Sequence, residues 1–258
     1  MVKKNFDSLL TSKELEDAQH IIQEAHAAQV TRIINVGTSL IESKNCITLA
    51  QTYPTVYAAI GIHPNDCTSS WRTDLHEIEQ LIKNDKKNII LGIGECGLDR
   101  HYPGYHLQRQ KDAFKAHIEL ALTYKKALVV HTRDARDETL YSLEEYKNDI
   151  TRGIVHCFSE DYDFATTVIS WGFSLGFGGT ITYPKNNYLR EILQKISIDD
   201  VVLETDAPFL PPQTIRGKQN SPQQIATIAA AIAQLKEESI ETIAHATTAN
   251  AQRIFEFD

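Results

Sequence analysis

Residues 88–100 read NIILGIGECGLDR. An apolar, β-branched run at 88–93 passes through Gly92 and Gly94 into a carboxylate, Glu95. A short apolar run of this kind reads as a buried strand, and a buried strand that ends on a charge needs a partner for it. The pattern recurs along the chain. Further β-branched runs lie at 32–36, 56–62, 127–130, 153–155, 173–177 and 201–204. Amphipathic stretches separate them, among them 13–29, 108–124 and 223–235. In the last, Ile225, Ile228, Ala229, Ile232 and Leu235 share one helical face. Strand–helix alternation predicts an α/β fold, a parallel sheet covered by helices. Seven such runs and a weak eighth at 3–9, in 258 residues, fit a (β/α)8 TIM-type barrel with a degenerate first strand. An open doubly wound sheet fits less well, because no GxGxxG loop follows the first run. The expectation is one barrel domain over 1–258.

A hydrophobic content of 42% is enough for a well-buried core. No apolar run approaches the ~20 residues that a membrane span needs. No apolar signal core follows the basic start, Met1-Val2-Lys3-Lys4. A cytoplasmic protein without membrane contact is expected. The four cysteines, Cys46, Cys67, Cys96 and Cys157, are scattered and form no CxxC pair, so reduced thiols are expected rather than a zinc knuckle. The net charge of −8 argues against a broad electrostatic grip on duplex DNA. It leaves room for a phosphate site built from a few local cations.

Chemistry-bearing residues stand at the ends of the runs: His63, Glu95, His131, His156 and Asp206. In a (β/α) barrel the carboxyl ends of the strands share one face, where active sites are built. Imidazole nitrogens with carboxylate oxygens form a ligand set for zinc, manganese or magnesium. One such histidine alone is more often a satisfied polar residue; five donors on strand ends point to a metal centre. His20, His26, His76, His117 and His245 fall in helical stretches and read as surface or packing residues. Strand parity places Glu204 on the face of Val202 and Asp206, as a carboxylate that orients a ligand or one paired elsewhere. Cys96 and Cys157 directly follow Glu95 and His156, so they point away and read as packing residues. Arg133, two residues past His131, and the pair Arg216 and Lys218 are candidate phosphate contacts.

The motifs GIHPND (61–66), GECGLD (94–99), HTRDA (131–135), HCFS (156–159), LETDAPFLPP (203–212) and RGKQNSP (216–222) occur in the order and approximate spacing of the TatD family, which the chain resembles from about residue 29 to its end. The resemblance implies an amidohydrolase-like barrel that uses divalent metal to hydrolyse DNA, as a 3′-to-5′ exonuclease on single-stranded ends, with no obligate protein partner. Position by position, it implies that Glu95 bridges metals and is catalytic. His131 and His156 would be ligands of one metal. Asp206 would be a ligand of the other and the partner of the attacking water. His63, Arg133, Arg216 and Lys218 would meet substrate. One departure stands out. Many family members open with His-x-His, whereas this chain opens MVKKNFDSLLTSKEL, which puts Asp7 and Leu9 at the histidine positions. One tightly held ion of magnesium, manganese or zinc is therefore expected at Glu95, His131 and His156, with a weaker second. Two other readings stay open: an amidohydrolase acting on a small ester or amide, and a barrel with a degraded metal site that acts as a binding protein.

Overall fold

The computed structural model describes residues 8–257. The chain divides into two compact units, and helix α1 (Ser12–Ala27) contributes its first turns to one and the rest to the other.

The first unit is built on Arg32–Tyr146. Its strands are β1 (Ile33–Gly37), β2 (Val56–Ile60), β3 (Ile90–Asp99) and β4 (Ala127–Arg133). They pair in parallel in sequence order. Helices α2 (Leu40–Thr52), α3 (Trp71–Lys83), α4 (Leu107–Tyr124) and α5 (Arg136–Glu144) alternate with them. Local chemistry sets the helix ends. Ser39 starts α2 by accepting the Glu42 N–H, and α4 stops where Lys125 turns left-handed at φ 52°. Ile60, Ile78, Ile93, Leu98, Phe114, Ile118 and Leu128 are fully buried and form the core.

β3 runs further than its β-branched stretch predicts. All ten residues to Asp99 are buried. Gly92, Gly94 and Gly97 dilute the strand signal, yet β4 holds the segment in place, pairing Cys96 with Val130, Gly97 with His131, Leu98 with Thr132 and Asp99 with Arg133. Glu95 therefore lies inside β3, at a shift in its register between Ile93 and Cys96, rather than at the strand's end.

The second unit takes in the chain from Lys147 onward. Strands β5 (Gly153–Val155), β6 (Phe173–Phe177) and β7 (Val201–Leu203) pair in parallel in sequence order. Helices α6 (Tyr162–Ser170), α7 (Asn187–Lys195), α8 (Ile225–Lys236) and α9 (Ile240–Phe255) accompany them. The apolar face read from α8 packs inward through Ile228, Ala229 and Ile232. Asn250 ties α9 to β7: its amide donates to the carbonyls of Ile198 and Val201, each at 2.8 Å.

The weak strand expected over 3–9 falls almost wholly outside the described residues, as does Asp7; Ser8 and Leu9 are exposed and not in a strand. Among the described residues no helix is long and apolar enough to cross a membrane.

One helical histidine is a core group. His117 is fully buried on α4. Its Nδ1–H donates to the Ala113 carbonyl at 2.7 Å, and its Nε2 accepts the Ile62 N–H at 3.1 Å. Burial lowers its pKa from an ordinary 6.5 to about 4, against the Ala113 bond, which raises it. Above pH 6.5 both folded and unfolded chains hold it neutral. Between about 6.5 and 4 the unfolded chain binds a proton that the folded chain refuses, so stability falls as pH falls. The loss approaches ~3 kcal/mol at the lower end. Urea midpoints at pH 7 and pH 4.5 should fall further for the wild type than for His117→Gln. Equal falls would show that other groups set the acid limit.

Candidate metal centre

In the first unit, β3 and β4 bring Glu95, Asp99 and His131 together, and the segment after β2 adds His63. Glu95 is 8% exposed and Asp99 1%. The His131 ring lies between the two carboxylates, with Nδ1 2.7 Å from Glu95 Oε1 and Nε2 3.2 Å from Asp99 Oδ2. Alternation along β3 explains the arrangement. Glu95, Gly97 and Asp99 share a face, Gly97 pairs with His131, and the missing side chain at 97 lets the two strand backbones approach closely beside the acids. Burial works against charge on His131, but its bonds to Asp99 and Glu95 overcome this and raise its pKa. Burial likewise works against charge on Asp99, yet His131, the His101 amide and Asn65 hold its pKa at about 2. The His101 N–H and the Asn65 side-chain amide donate to Asp99 at 2.8 and 2.9 Å.

His63 stands just before a short turn, Pro64–Asp66, at the mouth of this cluster. Its Nε2 is 3.3 Å from His131 Nδ1 and 3.8 Å from Glu95 Oε1. Donor atoms of His63, Asp99 and His131 all lie within 4.8 Å of one another, close enough to share a cation. The His63 Nδ1 accepts the Asn65 N–H at 3.1 Å. In the neutral ring that puts the proton on Nε2, the atom that faces His131 and Glu95. His63 is thus disposed to donate a hydrogen bond at the site rather than to offer a lone pair.

The second unit repeats the motif with other residues. His156 follows β5 directly, and Glu204 follows β7. His156 Nδ1 is 2.7 Å from Glu204 Oε2, and His156 Nε2 is 3.4 Å from Asp206 Oδ1. Glu204 also accepts the Cys157 N–H at 2.5 Å. Gly176 makes space for that carboxylate: a Cβ there would lie 2.3 Å from Glu204 Oε2. Glu204 acts toward His156 as Asp99 acts toward His131. In each pair a carboxylate fixes one ring nitrogen, and with it the tautomer, leaving the other nitrogen beside a second acid. Donors of this kind fit a divalent cation. Neutral imidazoles with fixed orientation and buried carboxylates are what such an ion takes up.

Asp99 is the residue that reading the sequence missed. It stands in the quoted GECGLD stretch, four residues after Glu95, and strand parity carried past Gly94 would have put both on one face. Cys96 lies fully buried on the opposite side, its thiol pKa pushed well above the ordinary value by burial and then by the Glu95 charge. It is inert packing.

The cationic candidates lie outside these clusters. The Arg133 guanidinium sits 5.3 Å over the Tyr102 ring. Arg216 is exposed and sits 4.2 Å over the Tyr183 ring, and Lys218 is exposed in the same loop. Among the described residues none of the three forms an ion pair, so each keeps its charge available.

Three comparisons bear on this arrangement. The family model described as TatD related DNase matches residues 8–256. The uncharacterized metal-dependent hydrolase YabD of Bacillus subtilis is 35% identical over 239 residues, which cover 93% of this chain and 92% of that protein. The 3′-5′ ssDNA/RNA exonuclease TatD of Citrobacter rodentium is 30% identical over 253 residues, 96% of this chain and 95% of that one. Among solved structures, YjjV, a TatD homologue from Escherichia coli, superposes with a TM-score of 0.89 at 29% identity and covers 94% of this chain and 93% of its own. The fold is therefore the parallel α/β barrel type that the strand–helix alternation predicts.

Proposed function

The chain belongs to the TatD family of metal-dependent hydrolases, and from that membership we propose that it hydrolyses phosphodiester bonds of DNA, working from single-stranded 3′ ends as a 3′-to-5′ exonuclease. The observation that carries the reading is the pair of carboxylate-oriented histidines, Asp99 with His131 and Glu204 with His156. The proposed metal ligands are Glu95 and His131 in the first unit and His156 and Asp206 in the second. The expected cofactor is one tightly held divalent ion, magnesium, manganese or zinc, with a second held more weakly. When bound, such an ion activates water and draws charge from a phosphoryl oxygen. The chain's own groups do the rest. Asp206 accepts the proton of the attacking water. His63 donates from Nε2 to a phosphoryl oxygen. Arg133, Arg216 and Lys218 neutralise phosphate charge. We read 1–258 as one catalytic domain, since the family match runs across both units, and place it in the cytoplasm, where the free thiols Cys46, Cys67, Cys96 and Cys157 are at home.

The deciding experiment supplies metal-loaded protein with a single-stranded oligonucleotide labelled at its 5′ end, beside a panel of esters, lactones and amides. A ladder shortening from the 3′ end is expected. Turnover of the panel alone would make the chain an amidohydrolase of small substrates, and turnover of neither would leave a binding protein. A second variant tests the cations. Arg216→Ala with Lys218→Ala should raise KM for the oligonucleotide and flatten the dependence of log(kcat/KM) on log salt by about one to two units, since fewer counterions are released. An unchanged slope would remove this loop from the substrate path.

A further inference from the structure

The segment between β3 and α4, Arg100 to His106, carries two aromatic side chains with no core to fill: Tyr102 is 54% exposed and Tyr105 40%. It is nonetheless tied down. The Arg100 N–H donates to the Arg133 carbonyl at 3.0 Å, extending the β3–β4 pairing by a step. The next amide, His101 N–H, donates to Asp99 Oδ1, and the His101 ring is 2.8 Å from the Asp134 carboxylate. The His101 and Tyr102 rings meet edge to face, centroids 5.1 Å apart at 86°. Arg133 completes the group, with its guanidinium 5.3 Å from the centre of the Tyr102 ring and Nη1 3.5 Å from the hydroxyl. Arg100 differs, since Glu138 engages its charge in an ion pair at 2.5 Å.

An exposed apolar ring usually lies loose or buries itself on folding. Here His101 and Arg133 hold the ring in a fixed orientation while half its surface stays in water. The side chain that holds it is a cation without an acidic partner. An uncompensated cation against a fixed π-face is the pairing that single-stranded nucleic acid recognises: the ring stacks on a base, and the guanidinium takes the phosphate next to it. Location agrees. Tyr102 lies three residues past Asp99 and Arg133 two past His131, so this group borders the Asp99–His131 cluster along both strands.

We propose that Tyr102, backed by Arg133, is a stacking platform for one nucleobase of a single-stranded substrate, and that it gives the protein a preference for nucleotides that carry a base. This rests on the phosphodiester reading above. Stacking tolerates any base, because every base has a π-face, so the platform selects for a nucleobase and not for a sequence.

The test compares two oligonucleotides in the metal-loaded protein, one ordinary and one with tetrahydrofuran abasic units at its last three 3′ positions. Wild type should favour the ordinary strand by about tenfold in kcat/KM, the order that one base–aromatic stack gives. Tyr102→Ala should bring that ratio near one, mostly through KM, and Tyr102→Trp should restore or raise it. A ratio untouched by Tyr102→Ala, or equal losses on both strands, would overturn the platform. Should the wild type cleave neither strand, the phosphodiester reading fails. The platform is then judged by fluorescence anisotropy on the same two strands, where equal affinities would overturn it and a tenfold difference abolished by Tyr102→Ala would sustain it.

Discussion

Glu95→Ala is expected to lower hydrolysis by ~10³-fold or more, because groups that act as one catalytic unit fail together when any is removed. The same change should lower bound metal while circular dichroism keeps its native shape. The reason lies in how Glu95 is placed. It is 8% exposed, and its carboxylate lies 2.7 Å from His131 Nδ1. Alanine leaves that ring nitrogen with no acid beside it, so a ligand charge and the orientation of a second ligand are lost together. Glu95→Gln keeps the volume and removes the charge, and should lose metal nearly as completely. His131→Ala should match Glu95→Ala, and the double variant should be no worse than either. Activity within a few-fold of wild type in Glu95→Ala would end the metal-centre reading. Full metal retention with lost activity would instead make Glu95 a proton-transfer group.

The second large effect is structural. Gly97→Ala should destabilise the protein by ~3 kcal/mol or more, enough to cut the soluble yield. Gly97 sits at φ +144°, a conformation L side chains rarely adopt, and a Cβ there would lie 2.0 Å from the His131 carbonyl oxygen. That oxygen is backbone within a paired strand and cannot swing aside, so β3 and β4 would have to part where the candidate ligands stand. Gly104→Ala is the control. Its φ is +88°, but nothing lies within 4 Å of the added carbon, so it should cost only ~1 kcal/mol. Comparable urea midpoints for the two variants would show that φ alone, and not close approach of the strands, makes glycine necessary at 97.

The strands and their alternation with helices were legible because each strand carries a short apolar core, β-branched in most of them and aromatic in β6. Val56–Ile60, Phe173–Phe177 and Gly153–Val155 are where the pattern puts them. β3 was legible only at its start. Its three glycines remove the propensity signal, and what keeps residues 94–99 in a strand is pairing with β4, which no local pattern displays. Asp99 went unassigned for that reason. Glu204 was legible by parity, since its neighbours at 202 and 206 place it on one side of the chain, although β7 itself stops at Leu203. Tyr102 could not be read at all. RHYPGYH has the Pro and Gly of an ordinary turn, and the fixed, half-exposed ring arises from Arg133, more than 30 residues away in sequence. The roles given to Glu95, His131, His156 and Asp206 came from motif resemblance. Their pairing with Asp99 and Glu204 came from side-chain geometry.

The space at Gly176 also bears on how this chain can change over generations. The Glu204 carboxylate fills the volume that any side chain at 176 would need. A mutation at 176 therefore reaches His156 without touching it, by displacing the acid that sets its proton. A shorter acid at 204 would accommodate it without that displacement. The two positions are 28 residues apart in sequence yet draw on one volume. A designer who wishes to retune His156 has a handle there that leaves every candidate ligand in place.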